Sequence, residues 1–371
     1  MRIAHVVTLV SPDGAYGGPL TVALGLARAM QGSGHSVEIF AGYRGEGPPP
    51  HELDGVRAHL YPVRRVVPRT AFAGLIAPGL RRDLQRGGFD IVHVHLARDL
   101  ITLPAAAALR SRRMPYAVQT HGMIDRPRRR LARILDALLT RRVLRSARAV
   151  FHLNANERDA LAEVGRSPEL RLSRLPNGQA AHNVRASPDG AREVLFLARL
   201  APRKRPTAFV EAAKLVIDRG VRAQFTLVGP DEGEGARVRA RVRELGAEDY
   251  VRWVGPVAPA AVLERMSQAG VYVLPAVDEP WGMSALEAMS VGLPVVVTDS
   301  CGVVDEVSDS GSLVVVGREP REIADAIVRL LEDPQLRSDI GQRAQEEVQR
   351  TFEIGAVAET ALAAYAREFV N

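Results

Sequence analysis

Two glutamates eight positions apart, with a glycine turn between them, are the strongest chemical signal in the sequence. Glu279 follows an apolar, strand-like run, and Glu287 lies within "GMSALEAMSVG", which is typical of a helix beginning near Gly282. The first amides of such a helix, at Gly282, Met283 and Ser284, have no intrahelical partner and carry the positive end of its dipole. Carboxylates accept hydrogen bonds from hydroxyls, and free amides bind phosphate. The pattern therefore suits a ligand with hydroxyls on both sides of its phosphates, such as a nucleotide sugar.

Two cations near another predicted strand end could serve the same ligand. In "FLARLAPRKRP" (196–206), Arg199 comes just after the apolar run and Lys204 lies five residues further on. Arginine offers a planar fork and lysine a mobile charge, both of which suit a diphosphate. The chain has no Asp-x-Asp, the spacing at which many enzymes hold a diphosphate through Mg²⁺ or Mn²⁺. We therefore expect protein cations and amides to neutralise the phosphates, with no metal and no cofactor. Loop charges that only face water are the alternative.

Composition indicates a globular chain with two halves of different character. The 371 residues are 46% hydrophobic and 25% charged, a length that favours two domains. The net charge of +6 is uneven, because residues 1–180 carry 27 basic against 14 acidic residues and residues 181–371 carry 22 against 29. Opposite charges on the two halves indicate different partners for the two domains.

Several classes of protein are disfavoured by the sequence. Cys301 is the only cysteine, so an intrachain disulfide is impossible and a reducing compartment is favoured. The sequence shows no clustered zinc-ligand pattern, no apolar run of membrane-spanning length and no nucleic-acid-binding motif among its arginines. The N-terminal "MRIAHVVTLV" is typical of a buried strand rather than a signal peptide. These features predict a cytoplasmic protein that binds no nucleic acid.

Short β-branched runs alternate with amphipathic stretches along the whole chain, the pattern of βα units around parallel sheets. Strands are predicted at 2–10, 36–40, 56–61, 90–96, 116–121 and 147–153, then at 193–198, 223–229, 250–255, 270–275, 294–299 and 312–317. The pattern predicts an α/β protein with two Rossmann-like, doubly wound domains facing a cleft. We expect an N-terminal domain over 1–178, a linker over 179–190 and a C-terminal domain over 191–352. The final helix, within 353–371, could pack back on the N-terminal domain.

Six short motifs in one order resemble the GT-B retaining glycosyltransferases of family 4. The Glu279-x7-Glu287 segment is similar to that family's E-x7-E signature, and "ARLAPRK" resembles its diphosphate element. "YVRWVGPV", "LPNG", "QTHG" and "YGGP" resemble its base-binding strand, linker, acceptor-side loop and N-terminal glycine loop. The motifs span essentially the whole chain. The resemblance implies transfer of a hexose-type sugar, with retention, from a UDP- or GDP-sugar to a glycan, lipid-linked or small-molecule acceptor.

The resemblance also assigns roles to residues of the C-terminal half. It implies that Glu287 holds the ribose hydroxyls and that Glu279 holds hydroxyls of the transferred sugar. Arg199 and Lys204 would bind the diphosphate. The remaining donor contacts would come from backbone, at Gly282, Met283 and Ser284 beside the distal phosphate and sugar and at Val254 and Val257 around the base.

In the N-terminal half the resemblance points to a glycine pair and a histidine. Gly17 and Gly18 would approach the phosphate or the acceptor, and His121 would contact the donor sugar near its anomeric carbon. A histidine at a strand end is more often an ordinary loop residue, which is how we interpret His93 and His95. "YGGP" lacks the G-x-G-x-x-G spacing, so a dinucleotide fingerprint is a poor alternative.

The chain departs from the family pattern at two places. Cys301 and Asp305 stand where the family has glycine and glutamate, and Ala180 replaces the usual linker carboxylate. We expect Cys301 to be packed rather than reactive. These changes concern the shape of the donor pocket and domain closure, not the main donor contacts.

Nine arginines lie within residues 126–148, beside or on a predicted amphipathic helix at 130–144. Such a helix can lie on anionic lipid, which would make the protein a peripheral one at the inner face of the cell membrane. A solvated arginine face is the alternative.

Other functions remain open for the same fold. A sugar-nucleotide epimerase would need carboxylates facing the sugar from both domains, and a phosphorylase would need a cofactor lysine in a context that is missing. A nucleotide-sugar sensor is the non-enzymatic alternative. The sequence does not identify the nucleotide base, the transferred sugar, the acceptor or the linkage.

Overall fold

The computed structural model describes residues 1–11, 17–68, 70, 72–126, 130–187, 192–307 and 310–369. The chain divides into two compact units, which are described separately below. Unit 1 comprises Met1–Ala180 together with Ile354–Asn371, and unit 2 comprises Ala181–Glu353. The C-terminal helix therefore belongs to the same unit as the N-terminal sheet.

Sixteen strands are found in the described part of the chain. In unit 1 they are β1 Arg2–Val10, β2 Ser36–Tyr43, β3 Glu52–Leu53, β4 Val56–Pro62, β5 Arg64–Arg65, β6 Leu75–Ile76, β7 Ile91–His95, β8 Tyr116–Gln119, β9 Ala149–His152 and β10 Leu172–Arg174. In unit 2 they are β11 Glu193–Leu197, β12 Gln224–Val228, β13 Val251–Trp253, β14 Val271–Leu274, β15 Val295–Thr298 and β16 Val314–Val316. Every strand predicted from the sequence is present. The hairpin strands β5 and β6, the short β3 and the edge strand β10 were not predicted, because two or three residues carry too little periodicity.

Fourteen α-helices lie between or after the strands in the part of the chain that the structure describes. They are α1 Gly18–Gly32, α2 Leu80–Arg86, α3 Thr102–Ser111, α4 Arg130–Leu135, α5 Arg141–Ser146, α6 Ala155–Gly165, α7 Pro206–Asp218, α8 Gly235–Glu244, α9 Val262–Ser267, α10 Met283–Ser290, α11 Val304–Val307, α12 Pro320–Glu332, α13 Pro334–Thr351 and α14 Ile354–Phe369. The single helix predicted over 130–144 is instead interrupted by a π-helical turn at Asp136–Thr140. Asp136 is buried in this turn, where its carboxylate accepts hydrogen bonds from Arg98.

Unit 1 is built on an eight-stranded sheet in the order β10-β9-β8-β7-β1-β2-β4-β3, parallel except for β3. All residues of β1 after Arg2 are buried, as expected for a strand covered on both faces. The helix α14 packs against α1 and β9. The chain reverses its direction of winding between β1 and β7, which lie side by side with His5 opposite His93. Ligands of doubly wound sheets bind at such a point.

Unit 2 has a six-stranded, wholly parallel sheet in the order β13-β12-β11-β14-β15-β16. Phe196, Phe209 and Phe225 pack together in its core. The direction of winding reverses between β11 and β14, which are hydrogen-bonded neighbours. The loops that follow these two strands therefore meet at one edge of the sheet, although about 80 residues of sequence separate them.

No helix in the described ranges combines the length and the apolar character needed to cross a membrane.

Candidate functional site

The cationic loop of unit 2 begins where β11 ends. Leu200 pairs with Asp231 beyond the ends of β11 and β12, and a single 3-10 turn over Pro202–Lys204 follows. The carbonyl of Arg203 accepts a hydrogen bond from the amide of Val277 at 2.9 Å, which ties this loop to the segment after β14. The two strand-end loops that sequence analysis associated with one ligand are therefore joined directly.

The side chains of Lys204 and Glu279 form a buried ion pair across this junction. Lys204 Nζ lies 2.8 Å from Glu279 Oε2, and each residue is only 8% exposed. Arg203 Nε lies 3.5 Å from the same oxygen. Burial alone would raise the pKa of Glu279, but the charges of Lys204 and Arg203 outweigh it and hold that pKa below its ordinary value. Glu279 is therefore ionised, and its charge is already balanced before any ligand binds.

The backbone of Glu279 is anchored to the loop after β15. Its amide donates to the carbonyl of Ser300 at 3.2 Å, and its carbonyl accepts from the amide of Gly302 at 2.8 Å. Asp278, just before it, has a left-handed φ of 49°. Such a conformation is uncommon outside glycine and is tolerated by aspartate. The carboxylate is thus held by backbone contacts on one side and by Lys204 on the other.

The helix α10 begins as the glycine turn predicted. Gly282 is its N-cap with a φ of 93°, and a Cβ there would lie 2.7 Å from Cys301 Sγ, so both conformation and space require glycine. Within the described residues, the amides of Gly282, Met283 and Ser284 donate no hydrogen bond. The Ser284 hydroxyl lies 2.7 Å from that of Tyr272. The helix thus offers three free amides and a dipole to an anion.

Glu287 lies one turn into α10 and differs from Glu279 in its surroundings. Its side chain is half-buried, and no hydrogen bond or ion pair to its carboxylate is found in the described ranges. Burial raises its pKa to about 7, although the charge of Lys204 acts in the opposite direction. An unpartnered carboxylate of this kind can accept hydrogen bonds from a pair of ligand hydroxyls.

Arg199 is engaged by a residue that sequence analysis did not single out. Its Nη1 lies 2.9 Å and 2.8 Å from the two carboxylate oxygens of Glu232, which follows β12. Both side chains remain partly exposed. The carboxylate of Glu232 thus forms an ion pair with the guanidinium that was predicted to bind a diphosphate. No local motif could reveal this pair, since 33 residues separate its members.

The residues predicted to bracket a base follow the edge strand β13. The Val254 side chain is exposed, and its amide donates to the carbonyl of Leu227 at 3.0 Å. Val257 lies three residues further along the same loop and is half-buried. The amide of Val254 is used within the fold, so its carbonyl and its exposed side chain are the groups it offers to a ligand.

Gly17 and Gly18 begin α1 in unit 1. The carbonyl of Gly17 accepts from the amide of Thr21 at 2.8 Å. Among the described residues outside its own turn, a Cβ on Gly18 would meet no atom within 4 Å. Tyr16 of the "YGGP" motif lies outside the described residues.

His121 follows β8 and has a left-handed φ of 50°, with Gly122 at 73°. Its Nε2 lies 2.7 Å from Nδ1 of His95, and its Nδ1 lies 3.3 Å from Oδ1 of Asn177. Both ring nitrogens of His121, the residue expected to contact the donor sugar near its anomeric carbon, are therefore bonded within the protein. Burial lowers the pKa of His121 to about 4, so its imidazole is neutral at physiological pH.

Comparison with known proteins decides the family. Residues 17–178 match the family model described as a glycosyl transferase 4-like domain, and residues 178–347 match the one described as glycosyl transferases group 1. The chain belongs to glycosyltransferase family 4. The two matches meet at Gly178 and together cover most of this glycosyltransferase.

Relatives and solved structures agree with this assignment. The D-inositol 3-phosphate glycosyltransferase of Acidothermus cellulolyticus is 28% identical over 91% of this chain and 84% of the relative. The Anabaena protein HepE, solved with UDP and glucose, superposes with a TM-score of 0.78 at 18% identity, covering 99% of this chain and all of HepE. Sucrose-phosphate synthase of Thermosynechococcus elongatus gives the same score at 20% identity, covering 100% and 99% of the two chains. The glycosyltransferase thus has the two-domain GT-B fold.

Two residues at which the glycosyltransferase departs from its family pattern lie beside these sites. Cys301 is buried against Gly282, and burial raises the pKa of its thiol to about 12, so the thiol is not a nucleophile. Asp305 lies in the first turn of α11, which follows Cys301. In the described residues, no group of three His, Cys, Asp or Glu side chains could hold a metal ion.

Sequence analysis missed the residues that support His121. Glu157 of α6 accepts hydrogen bonds from the Thr120 hydroxyl and the Gly122 amide, and from the amide of Leu153 at 2.6 Å. These bonds hold the backbone on both sides of His121. An Asn-x-x-Glu spacing at Asn154 and Glu157, typical of a helix start, was the only available signal.

Proposed function

We propose that this glycosyltransferase transfers a hexose-type sugar, with retention and without a metal, from a nucleotide diphosphate sugar. The buried Lys204–Glu279 pair beside the free amides of α10 carries the proposal, because it joins a cation, a carboxylate and an anion site at one sheet edge. A sugar diphosphate requires this combination of groups. Glu279 would meet sugar hydroxyls, while Lys204 would meet phosphate.

Leaving-group stabilisation is the main catalytic contribution in this proposal. Negative charge develops on the diphosphate as the bond between sugar and phosphate breaks, and preorganised donors lower that barrier. Arg199, Lys204 and the amides of Gly282, Met283 and Ser284 are the donors available in unit 2. The diphosphate would displace Glu232 from Arg199 on binding.

The nucleoside would occupy the region between Glu287 and the loop after β13. Glu287 would accept hydrogen bonds from the ribose hydroxyls, and backbone near Val254 and Val257 would meet the base. HepE has been solved with UDP-glucose, which makes UDP-sugars the first donors to test, with GDP-sugars next.

The charge balance of Glu279 supports a retaining reaction that uses no protein nucleophile. Its Oε2 is held by Lys204 at 2.8 Å, which lowers its nucleophilicity, and we assign it to positioning the sugar. The acceptor would attack from the face that the diphosphate leaves, and the departing phosphate oxygen would take the acceptor's proton. Intact mass spectrometry during turnover should show no glycosylated enzyme. A glycosyl adduct present in the wild type and absent in Glu279→Gln would refute this assignment.

The acceptor is proposed to be a hydroxyl-bearing molecule of the polyol, glycan or lipid-linked class. Relatives named D-inositol 3-phosphate glycosyltransferases make D-inositol 3-phosphate a direct first acceptor to assay. Transfer would appear as release of nucleoside diphosphate that depends on the acceptor.

A lipid-linked acceptor is supported by an unusual surface of unit 1. The apolar stripe Leu131, Ile134 and Leu138, on α4 and the following π turn, is 81%, 55% and 58% exposed. Arg130 and Arg133 on α4 are exposed beside it. Apolar side chains next to arginines suit the interface of an anionic membrane. Arg128 and Arg129, which the sequence grouped with this helix, lie outside the described residues.

Vesicle sedimentation tests this surface. We expect binding to vesicles of anionic phospholipid but not to zwitterionic ones, and loss of binding in Leu131→Ser/Leu138→Ser and in Arg130→Gln/Arg133→Gln. Arg243→Gln, at an exposed position of α8, is the matched control. Equal sedimentation of all variants would exclude the membrane surface.

Nucleoside diphosphate release separates the alternatives. A glycosyltransferase releases it mainly when acceptor is present, an epimerase changes the sugar without transfer, and a phosphorylase consumes inorganic phosphate. A sensor binds the donor and releases nothing. Turnover that is unchanged by EDTA is expected, and strict dependence on an added divalent ion would overturn the metal-independent part of the proposal.

A further inference from the structure

Three histidines, of which His5 and His95 are fully buried and His121 is half-buried, form a continuous hydrogen-bonded imidazole chain in unit 1. His5 Nδ1 lies 2.9 Å from His95 Nε2, and His95 Nδ1 lies 2.7 Å from His121 Nε2. His5 and His95 lie on the neighbouring strands β1 and β7, and His121 follows β8. The chain ends at Asn177, whose Oδ1 lies 3.3 Å from His121 Nδ1. The family roles described above use only His121.

Two head-to-tail arrangements of protons would satisfy these contacts, and the oxygen of Asn177 at the end of the chain selects one of them. If Asn177 Oδ1 accepts, His121 carries its proton on Nδ1 and accepts at Nε2. His95 must then donate from Nδ1 and accept at Nε2, and His5 must donate from Nδ1. All three rings are therefore the same Nδ1–H tautomer, aligned head to tail. His93 stands outside this chain, because its Nδ1 is bonded to the Tyr365 hydroxyl.

A charged ring does not fit this arrangement. Burial lowers the pKa of His5 to about 3 and that of His121 to about 4, and it lowers the pKa of His95 well below its ordinary value. His5 and His95 are completely buried, and His93 stacks on His95 with ring centroids 4.7 Å apart. The chain is neutral at physiological pH.

We propose that His5 and His95 are positioning residues that lock His121 in the Nδ1–H tautomer, so that it meets the donor sugar as a neutral hydrogen-bond donor. The contact to Asn177, at 3.3 Å, is the longest bond of the chain, and an oxygen of the sugar can replace it. This inference rests on the proposed function for the identity of the ligand.

The hydrogen-bonded chain of histidines fixes the tautomer of His121 and does not conduct protons. Transport along it would require a proton to enter at Nε2 of His5, which is buried and has no partner in the described part of the protein. Among the residues that the structure describes, no group at that end can deliver or remove a proton. His121 therefore keeps one donor direction rather than acting as an acid or base.

Nitrogen NMR of ¹⁵N-histidine-labelled, ligand-free protein tests the lock directly. Two-bond proton–nitrogen spectra distinguish a protonated Nδ1 from a protonated Nε2, and a His121→Asn variant assigns the signals of His121. We expect His5, His95 and His121 all to carry the proton on Nδ1, with no titration between pH 6 and 8. A wild-type His121 protonated on Nε2 would overturn the proposal.

Two substitutions of His95 separate positioning from mere packing. The amide nitrogen of asparagine can take the place of Nδ1, whereas that of glutamine takes the place of Nε2. His95→Asn should keep His121 in its tautomer and keep KM for the donor within about 2-fold of wild type. His95→Gln should release the tautomer and raise that KM by about 5- to 10-fold, the value of one lost hydrogen bond. His59→Asn, on β4 with a bond to Glu38, is the control.

The outcomes are distinguishable from failure of the proposed function. If no nucleotide sugar binds the wild type, the proposed function fails, while the NMR result still decides the tautomer lock. If donors bind and both folded His95 variants raise KM equally, the positioning role is wrong. The wild-type spectrum remains decisive should either variant fail to fold.

Discussion

Lys204 Nζ and Glu279 Oε2 lie 2.8 Å apart in a buried ion pair that connects the loops after β11 and β14. The strand order of unit 2 makes this contact possible, because β11 and β14 are neighbours in the sheet. Both side chains are buried charges, and their mutual attraction offsets much of the desolvation cost that each would have alone. The pair also presents the two charges that a sugar diphosphate needs.

Lys204→Met should be the most damaging single change in unit 2. It removes a phosphate ligand and leaves Glu279 buried without its closest cation, so we expect kcat/KM to fall by about 100- to 1,000-fold. Steady-state kinetics with a UDP-sugar would measure this. Lys214→Met, at the only other lysine, which pairs with Asp218 on the exposed face of α7, should change little. A decrease below 3-fold for Lys204→Met would contradict its role.

Glu232→Gln should strengthen nucleotide diphosphate binding. In the ligand-free protein Glu232 is paired with Arg199, so a diphosphate must displace Glu232 before it can bind Arg199. A partly exposed ion pair is worth about 0.2–1 kcal/mol, so the dissociation constant of UDP should fall by roughly 2- to 5-fold. Calorimetry at low and high salt would show the gain shrinking as salt screens the charges. Glu244→Gln, which removes an exposed partner of Arg241, is the control. Weaker binding in Glu232→Gln would show that Glu232 assists the ligand.

Glu287 should make stability and binding depend on pH in opposite ways. The pKa of Glu287 is raised to about 7 in the folded protein. Between about pH 4.5 and pH 7, Glu287 is therefore ionised in the unfolded chain but protonated in the folded one. The folded state loses stability as pH rises through this range. Glu287→Gln should therefore be more stable than wild type at pH 8, by roughly 1–3 kcal/mol, and equal to it near pH 4. Thermal unfolding across this range would measure the difference.

Nucleotide affinity should rise with pH, whereas stability falls, because binding requires the ionised form of Glu287. The ionised carboxylate accepts two ribose hydroxyls, so affinity for a UDP-sugar, whose diphosphate keeps its charge in this range, should rise as pH increases through 7 in the wild type. The same titration should be flat in Glu287→Gln. A pH dependence that persists in the variant would assign the titration to another group.

Gly282→Ala should cost stability for two separable reasons. Alanine is strained at a φ of 93°, and its Cβ would lie 2.7 Å from Cys301 Sγ. We expect a loss of roughly 2–4 kcal/mol and much weaker UDP binding. Gly220→Ala, at a φ of 83° with open space around it, measures the strain alone. Cys301→Gly in the Gly282→Ala background should recover the difference, and no recovery would exclude the steric contact.

The strands, the helices and the kinds of chemical group in the site could be predicted from the amino-acid sequence. Alternation of β-branched runs with amphipathic stretches predicted both sheets, since burial on both faces produces continuous apolar strands. Glycine before α10 predicted its free amides, because helix starts leave amides unpaired whatever surrounds them. The two glutamates, Arg199 and Lys204 were also found, since their spacing relative to strand ends is local information.

Which of these groups contact each other could be seen only in the folded chain. Glu232 meets Arg199, and His5 and His95 meet His121, because the strand order brings together positions that are far apart in the chain. The lowered pKa of Glu279 and the raised pKa of Glu287 could not be predicted from the sequence either. Both residues are glutamates, and the pKa of each depends on its burial and on neighbouring charges rather than on residue type. Sequence periodicity specifies strands and helices, but the pairing of strands arises from packing of the whole sheet.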